Sequence, residues 1–102
     1  MIVKDYDGND VKVAAYRATY RNNGNLAIRL MTYEGEPWAT LTVNLDRKLQ
    51  EDLAYVDTNN CPWAEEFIEK YKLGEHTGSY GNSGYCIYPL YKFDPTKLGD
   101  ML

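Results

Sequence analysis

Apolar and polar positions alternate in three successive stretches, VKVAAYRATYR (11–21), LAIRLMTYEG (26–35) and WATLTVNL (38–45), each carrying β-branched and aromatic residues. A period of two puts neighbouring side chains on opposite faces of an extended backbone, so these stretches read as strands. In the second, Leu26, Ile28 and Leu30 share a face, and in the third Leu41, Val43 and Leu45 do. Both triplets are predicted to line the core side of an antiparallel meander. The first stretch sets Ala14, Tyr16, Ala18 and Tyr20 against Val11, Val13, Arg17 and Arg21, with Arg17, Arg21 and Arg29 assigned to solvent. Asn23-Gly24 suits the positive φ of a tight hairpin turn, and EGEP closes a second hairpin.

After a charged connector, DRKLQED (46–52), the segment LAYVDTN (53–59) reads as a fourth short strand. The period then lengthens. In PWAEEFIEKYKL (62–73), Trp63, Phe67, Ile68 and Tyr71 fall on one side, while Glu65, Glu66, Glu69, Lys70 and Lys72 take the other. This predicts a helix that covers one face of the sheet, with Pro62 in its first turn and Gly74 as its left-handed terminator. YCIYPLYKF (85–93) is predicted as a final strand, at an edge or broken at Pro89, because proline cannot donate to a ladder. DPTKLGDML follows as a tail with one helical turn. The expected fold is α+β: a single domain over 1–102, an antiparallel sheet of four to five strands packed on one helix, in the order β-β-β-β-α-β.

Composition adds three constraints. At 102 residues the chain supports one core and buries roughly 65% of its unfolded-state surface. Ten residues are Tyr against two Phe and two Trp, so aromatic bulk here usually brings a hydroxyl that needs a partner or water. A formal net charge of −4 disfavours general attraction to nucleic acid and points to protein partners with basic surfaces. The start, MIVKDYDGND, lacks the apolar segment of a signal peptide, and no apolar run nears the roughly 18 residues of a membrane span. The expected location is the cytoplasm, with Cys61 and Cys86 as free thiols.

Between helix and last strand lies HTGSYGNSGYC (76–86), which holds three glycines and the only histidine. It reads as an exposed, flexible loop. A phosphate cradle needs such a segment to open a helix and to carry a lysine, whereas this one follows a helix and leads into a strand. Zinc ligation by Cys61, His76 and Cys86 with Asp57 has none of the paired spacings of structural sites. Thiol catalysis would need His76 beside Cys61 or Cys86. The carboxylate pairs Glu34/Glu36, Glu51/Asp52 and Glu65/Glu66 read as solvated surface charge, and Asp57 to Asn60 as caps for the following helix. No catalytic residue, metal or cofactor is assigned. Recognition is the remaining chemistry: Tyr80, Tyr85, Tyr88 and Tyr91 with Ser79, Asn82 and Ser83 have the composition of a contact surface. Of these, Tyr85 and Tyr91 are expected to pack on the core, and Tyr80 is the preferred contact.

The stretch from Tyr55 to Phe93 resembles a family of small uncharacterised proteins carried by phages and conjugative elements. The resemblance rests on DTNN before a helix and on Thr77, Gly78, Tyr80, Ser83, Gly84, Tyr85, Tyr88, Pro89, Tyr91 and Phe93. Small acidic proteins of such elements look like counter-defence factors, among them anti-CRISPR and antirestriction proteins. The resemblance therefore implies a non-enzymatic inhibitor of a host defence nuclease, with a Cas nuclease as the first expectation. Its expected partner-binding residues are Tyr80, Asn82, Ser83, Tyr85, His76, Glu75 and Asp57. The alternatives are a small thiol or metal enzyme using Cys61, Cys86 and His76, and a structural or regulatory module that forms a homodimer through an exposed sheet edge.

Overall fold

The computed structural model describes residues 1–101. In chain order its elements are β1 (Ile2–Lys4), β2 (Asp10–Thr19), β3 (Leu26–Thr32), β4 (Pro37–Thr40), β5 (Thr42–Val43), β6 (Leu53–Val56), α1 (Ala64–Lys70), β7 (Gly74–Ser83), β8 (Cys86–Phe93), a 3-10 turn (Pro95–Lys97) and β9 (Gly99–Asp100). The fold class is the expected one, α+β, with largely antiparallel strands and one helix. Two features were not expected: the strands divide between two sheets, and the segment read as a loop is strand β7.

The first sheet runs β1-β2-β3-β4, and β9 adds a short parallel pairing to β2 at Tyr16 and Arg17. The second runs β5-β6-β8-β7. They meet at Leu41. Its N–H donates to the Ile28 carbonyl at 2.8 Å, in the first sheet, and its own carbonyl accepts from Asp57 N–H at 2.7 Å, in the second. β4 and β5 are thus one extended run that changes sheets at a single residue, the corner device of packed sheets. This splits the predicted triplet. Leu41 is buried in the main core, whereas Leu45 belongs to a second cluster with Tyr55 and Tyr88, because the bend turns one alternation face toward two different interiors.

The main core lies between both sheets and α1. Val13, Ile28, Leu30 and Leu41 are fully buried in it with Ala64, Ile68 and, from the second sheet, Val56, Tyr91 and Phe93. Burying each Leu, Ile or Phe side chain contributes about 1.5 to 3 kcal/mol relative to leaving it in water. The helix is shorter than the 62–73 expected from its period, and Trp63 occupies its N-cap with no side-chain cap. Asp57 does not cap it; its carboxylate takes the Asn60 backbone N–H at 3.2 Å and the Asn60 amide at 2.8 Å, fixing the turn before the helix.

At the C-terminus the left-handed residue is Lys72, with φ of 54°, and not Gly74. Lys72 N–H reaches Glu69 O and Leu73 N–H reaches Ile68 O at 2.9 Å, the paired bonds of a Schellman ending. Gly74 is needed for a different reason: a Cβ there would stand 2.7 Å from the Lys92 carbonyl oxygen across the ladder.

The β2–β3 hairpin is present, but its loop is longer than a two-residue turn: Tyr20 N–H closes it on the Asn25 carbonyl at 2.9 Å, with Gly24 at φ 73° inside. Buried Asn25 then organises the charged connector, donating to Arg47 O at 2.7 Å and accepting from Leu49 N–H at 2.9 Å. Leu49 packs on the second cluster as a result. Among the described residues no helix is long and apolar enough to cross a membrane.

Candidate partner-binding site

Six of the seven sequence-derived contact residues, Glu75, His76, Tyr80, Asn82, Ser83 and Tyr85, lie on the β7–β8 hairpin. They are held by a ladder, not by a flexible loop. β7 pairs with β8 from Gly74↔Phe93 to His76↔Tyr91, slips, and resumes from Tyr80↔Pro89 to Ser83↔Cys86. Residues 77–79 therefore face Leu90 alone and form a bulge. Bulges leave backbone groups without ladder partners, and here side chains take them up. Gly78 N–H donates to His76 Nδ1 at 2.8 Å, Ser79 N–H to Thr77 Oγ1 at 3.2 Å, and Thr77 Oγ1 in turn donates to the Leu90 carbonyl at 2.8 Å. The polar, glycine-bearing composition that suggested a loop is the chemistry of this bulge. β8 is an interior strand, contrary to the expectation for Pro89. The proline is accommodated because it pairs where the bulge ends and where β6 no longer reaches, the last β6–β8 pair being Tyr55↔Leu90.

Residues paired across an antiparallel ladder share a face. Phe93, Tyr91 and His76 thus lie on the same side as Tyr80, Pro89, Asn82 and Ile87. The inner end of this side is main core, with Tyr91 and Phe93 buried. Its outer end extends past the core into solvent, where Tyr80 is 57% and Ile87 61% exposed. His76 stands at the border. Its ring centroid is 5.1 Å from those of both Tyr80 and Tyr91, and with Nδ1 engaged by Gly78 its Nε2 faces Glu65 Oε1 at 4.0 Å. Tyr91 donates to the same Glu65 oxygen at 2.9 Å, and burial, reinforced by that bond, raises its phenol pKa. Glu65, read as plain surface charge, is therefore the helix's anchor on the hairpin. Glu75, opposite Lys92, sits on the other side of β7.

At the tip, Ser83 and Cys86 close a two-residue loop in which Gly84 has φ of 59° and Tyr85 stays in the ordinary region. That φ pattern matches a type II′ hairpin turn with glycine first. Tyr85 consequently projects fully into solvent and does not pack on the core as expected, whereas Tyr91 does. The Gly-X pair before a strand-like run was the partial signal available for this turn. Nothing in the composition of 85–93 marked Ile87 as exposed, since it shares the alternation of buried Tyr91 and Phe93.

The opposite side of the hairpin is closed. Gly81 lies under the Tyr55 ring, where a Cβ would approach Tyr55 Cε1 to 2.6 Å and Leu45 Cδ1 to 2.8 Å. Asp57, the seventh candidate, is separate from the hairpin and lines a groove with Trp38 and Trp63. The residues of the thiol or metal alternative are not brought together. Cys61 is buried in the main core with its thiol on Thr40 O at 3.6 Å, Cys86 packs on the second cluster, and His76 is engaged as described. Burial first, and the Asp57 carboxylate second, push the Cys61 thiol pKa up. Among the described residues no three His, Cys, Asp or Glu side chains are placed to hold a metal ion.

Residues 16–101 match the model of a family described as a domain of unknown function (DUF4313), so the chain belongs to that family. No curated protein and no solved structure matches it.

Proposed function

We propose that this protein is a non-enzymatic binding protein that docks a protein partner on the outer half of the β7–β8 hairpin, through Tyr80, Asn82 and Ile87 with Tyr85 at the tip. The supporting observation is that a core-type face continues into solvent on a strand pair whose geometry is already fixed. A partner that covers it gains apolar burial without first ordering a loop. Tyrosine anchors among small polar residues suit such a surface. The net charge of −4 favours a partner with basic groups. On the resemblance to small proteins of phages and conjugative elements, the partner we assign is a host defence nuclease in the bacterial cytoplasm, with a Cas nuclease first among them.

The test is a cleavage assay with purified Cas nuclease and excess protein, paired with affinity capture. The expected result is reduced cutting, with Tyr80→Ala or Tyr85→Ala weakening binding by about 1 to 3 kcal/mol, the usual cost of truncating an interface anchor. Undiminished cutting together with no captured defence component removes the counter-defence role. A partner that binds both variants as tightly as the wild type removes the hairpin as its docking surface.

A further inference from the structure

A groove runs between the β1–β2 turn, β4 and the turn that leads into α1, and it holds both tryptophans of the chain. Its walls include Trp38, Trp63, Tyr6, Asp5 and Asp57, with Lys4 at one side. Of its residues the sequence singled out Asp57 alone, because they come from positions 4 to 63 and no local pattern links them.

The charge of the groove is one-sided once its pairs are counted. Lys4 is taken up by Asp10, which lies outside the groove, as its partner across the β1–β2 ladder. Among the described residues Asp5 and Asp57 have no cationic partner, so the groove carries two carboxylates against one exposed ammonium that is directed to Asp10. Both are held in fixed orientations. Asp5 Oδ1 accepts from Asp7 N–H at 2.9 Å and Asn9 N–H at 2.8 Å, while the two oxygens of Asp57 accept from the Asn60 backbone and amide. A carboxylate has about four acceptor positions, so each retains capacity for a further donor. Asp57 is 8% exposed, in a setting where a charge interacts more strongly than at an open surface. Trp38 is 36% exposed and Tyr6 wholly so, leaving ring surface uncovered.

Indole and phenol faces attract cations through their quadrupoles, and a pre-oriented carboxylate beside them selects a planar donor that can stack and hydrogen-bond at once. Guanidinium meets both demands; a compact, strongly hydrated ammonium meets them less well. We infer that this groove receives an arginine side chain of a protein partner, stacked against the Trp38 and Trp63 region and bonded to Asp57. The site shares no residue with the hairpin face and stands independently of the function proposed for it.

The test is an NMR titration of the intact protein, following the two indole N–H resonances assigned with Trp38→Phe and Trp63→Phe. The probes are acetyl-Gly-Arg-Gly-amide and the same peptide with citrulline or lysine in place of arginine. The arginine peptide is expected to shift both indole signals saturably, with citrulline inert and lysine about tenfold weaker. Asp57→Asn is expected to weaken the arginine peptide about tenfold. Because Asp57 also fixes a turn, Trp38→Ala at the exposed β4 position serves as the second variant, expected to weaken binding without altering far-UV circular dichroism. Equal binding of the citrulline or lysine peptide overturns the assignment to guanidinium. Absence of indole shifts, or shifts that persist unchanged in Trp38→Ala, overturns the site.

Discussion

The main core and the second cluster press on opposite faces of the β5-β6-β8-β7 sheet, and they differ in extent. The main core is large and deep: Val13, Ile28, Leu30, Leu41, Val56 and Ile68 are fully buried together with Tyr91 and Phe93, with α1 as a lid. The second cluster has three buried members, Leu45, Tyr55 and Tyr88, and it closes only because Gly81 offers no Cβ under the Tyr55 ring. One interior depends on total apolar volume, the other on a single close approach. It follows that core substitutions act on the whole fold, while changes in the second cluster act on the hairpin that carries the candidate docking face.

The largest expected effect tests the first half of that contrast. Leu30→Ala removes a fully buried side chain and should cost about 2 to 5 kcal/mol. In urea unfolding, sheet and helix signals should fall together. Next, Gly81→Ala drives a methyl group into a buried ring and should cost about 1 to 3 kcal/mol. Hydrogen exchange should quicken at amides 80–88 before it does at Ile28 and Leu30. A uniform increase across both regions would break the comparison.

Tyr91, in the main core, ties the hairpin to α1 through Glu65, so Tyr91→Phe measures the tie between helix and hairpin. Glu65 is partly exposed and regains water when its donor is lost, which places the cost at about 1 kcal/mol, below the usual range for bonds to charged groups. The pH dependence has a definite sign. Because the folded-state pKa of Tyr91 is raised, its stabilising share is complete below the unfolded phenol value of about 10 and is lost as pH climbs above it. The difference in unfolding free energy between wild type and Tyr91→Phe should therefore shrink from pH 9 to pH 11. The smallest effect has the opposite direction: Lys72→Gly relieves a left-handed φ on a residue with a Cβ and should stabilise the protein by up to about 1 kcal/mol, seen as a raised urea midpoint.

Much of this architecture was legible where hydrophobic periodicity and geometry coincide. Leu26, Ile28 and Leu30 alternate as a strand whose inward face is buried toward its middle, and Phe67 and Ile68 mark the buried face of α1. Legibility failed where a backbone conformation is sustained by side chains acting locally. β7 has neither alternation nor β-branched bulk, and HTGSYGNS is held extended by its ladder to β8 with the bonds of Thr77 and His76 satisfying the bulge. Gly74 was read for its conformational freedom when its small size is what matters, and Lys72 occupies the strained position. Of the contact residues, Tyr80 was anticipated as exposed. Tyr85 was misread because spacing alone cannot tell a turn from the strand after it, and Asp57 was found in another place altogether.

Leu41 hydrogen-bonds into both ladders through one peptide unit on each side. Parting the two sheets at that corner must break the bonds of that residue, so the two are expected to melt in a single transition. The hairpin beyond Leu90 has no β6 partner and lies outside that joint, so the candidate docking face can be altered by substitution without parting the two sheets.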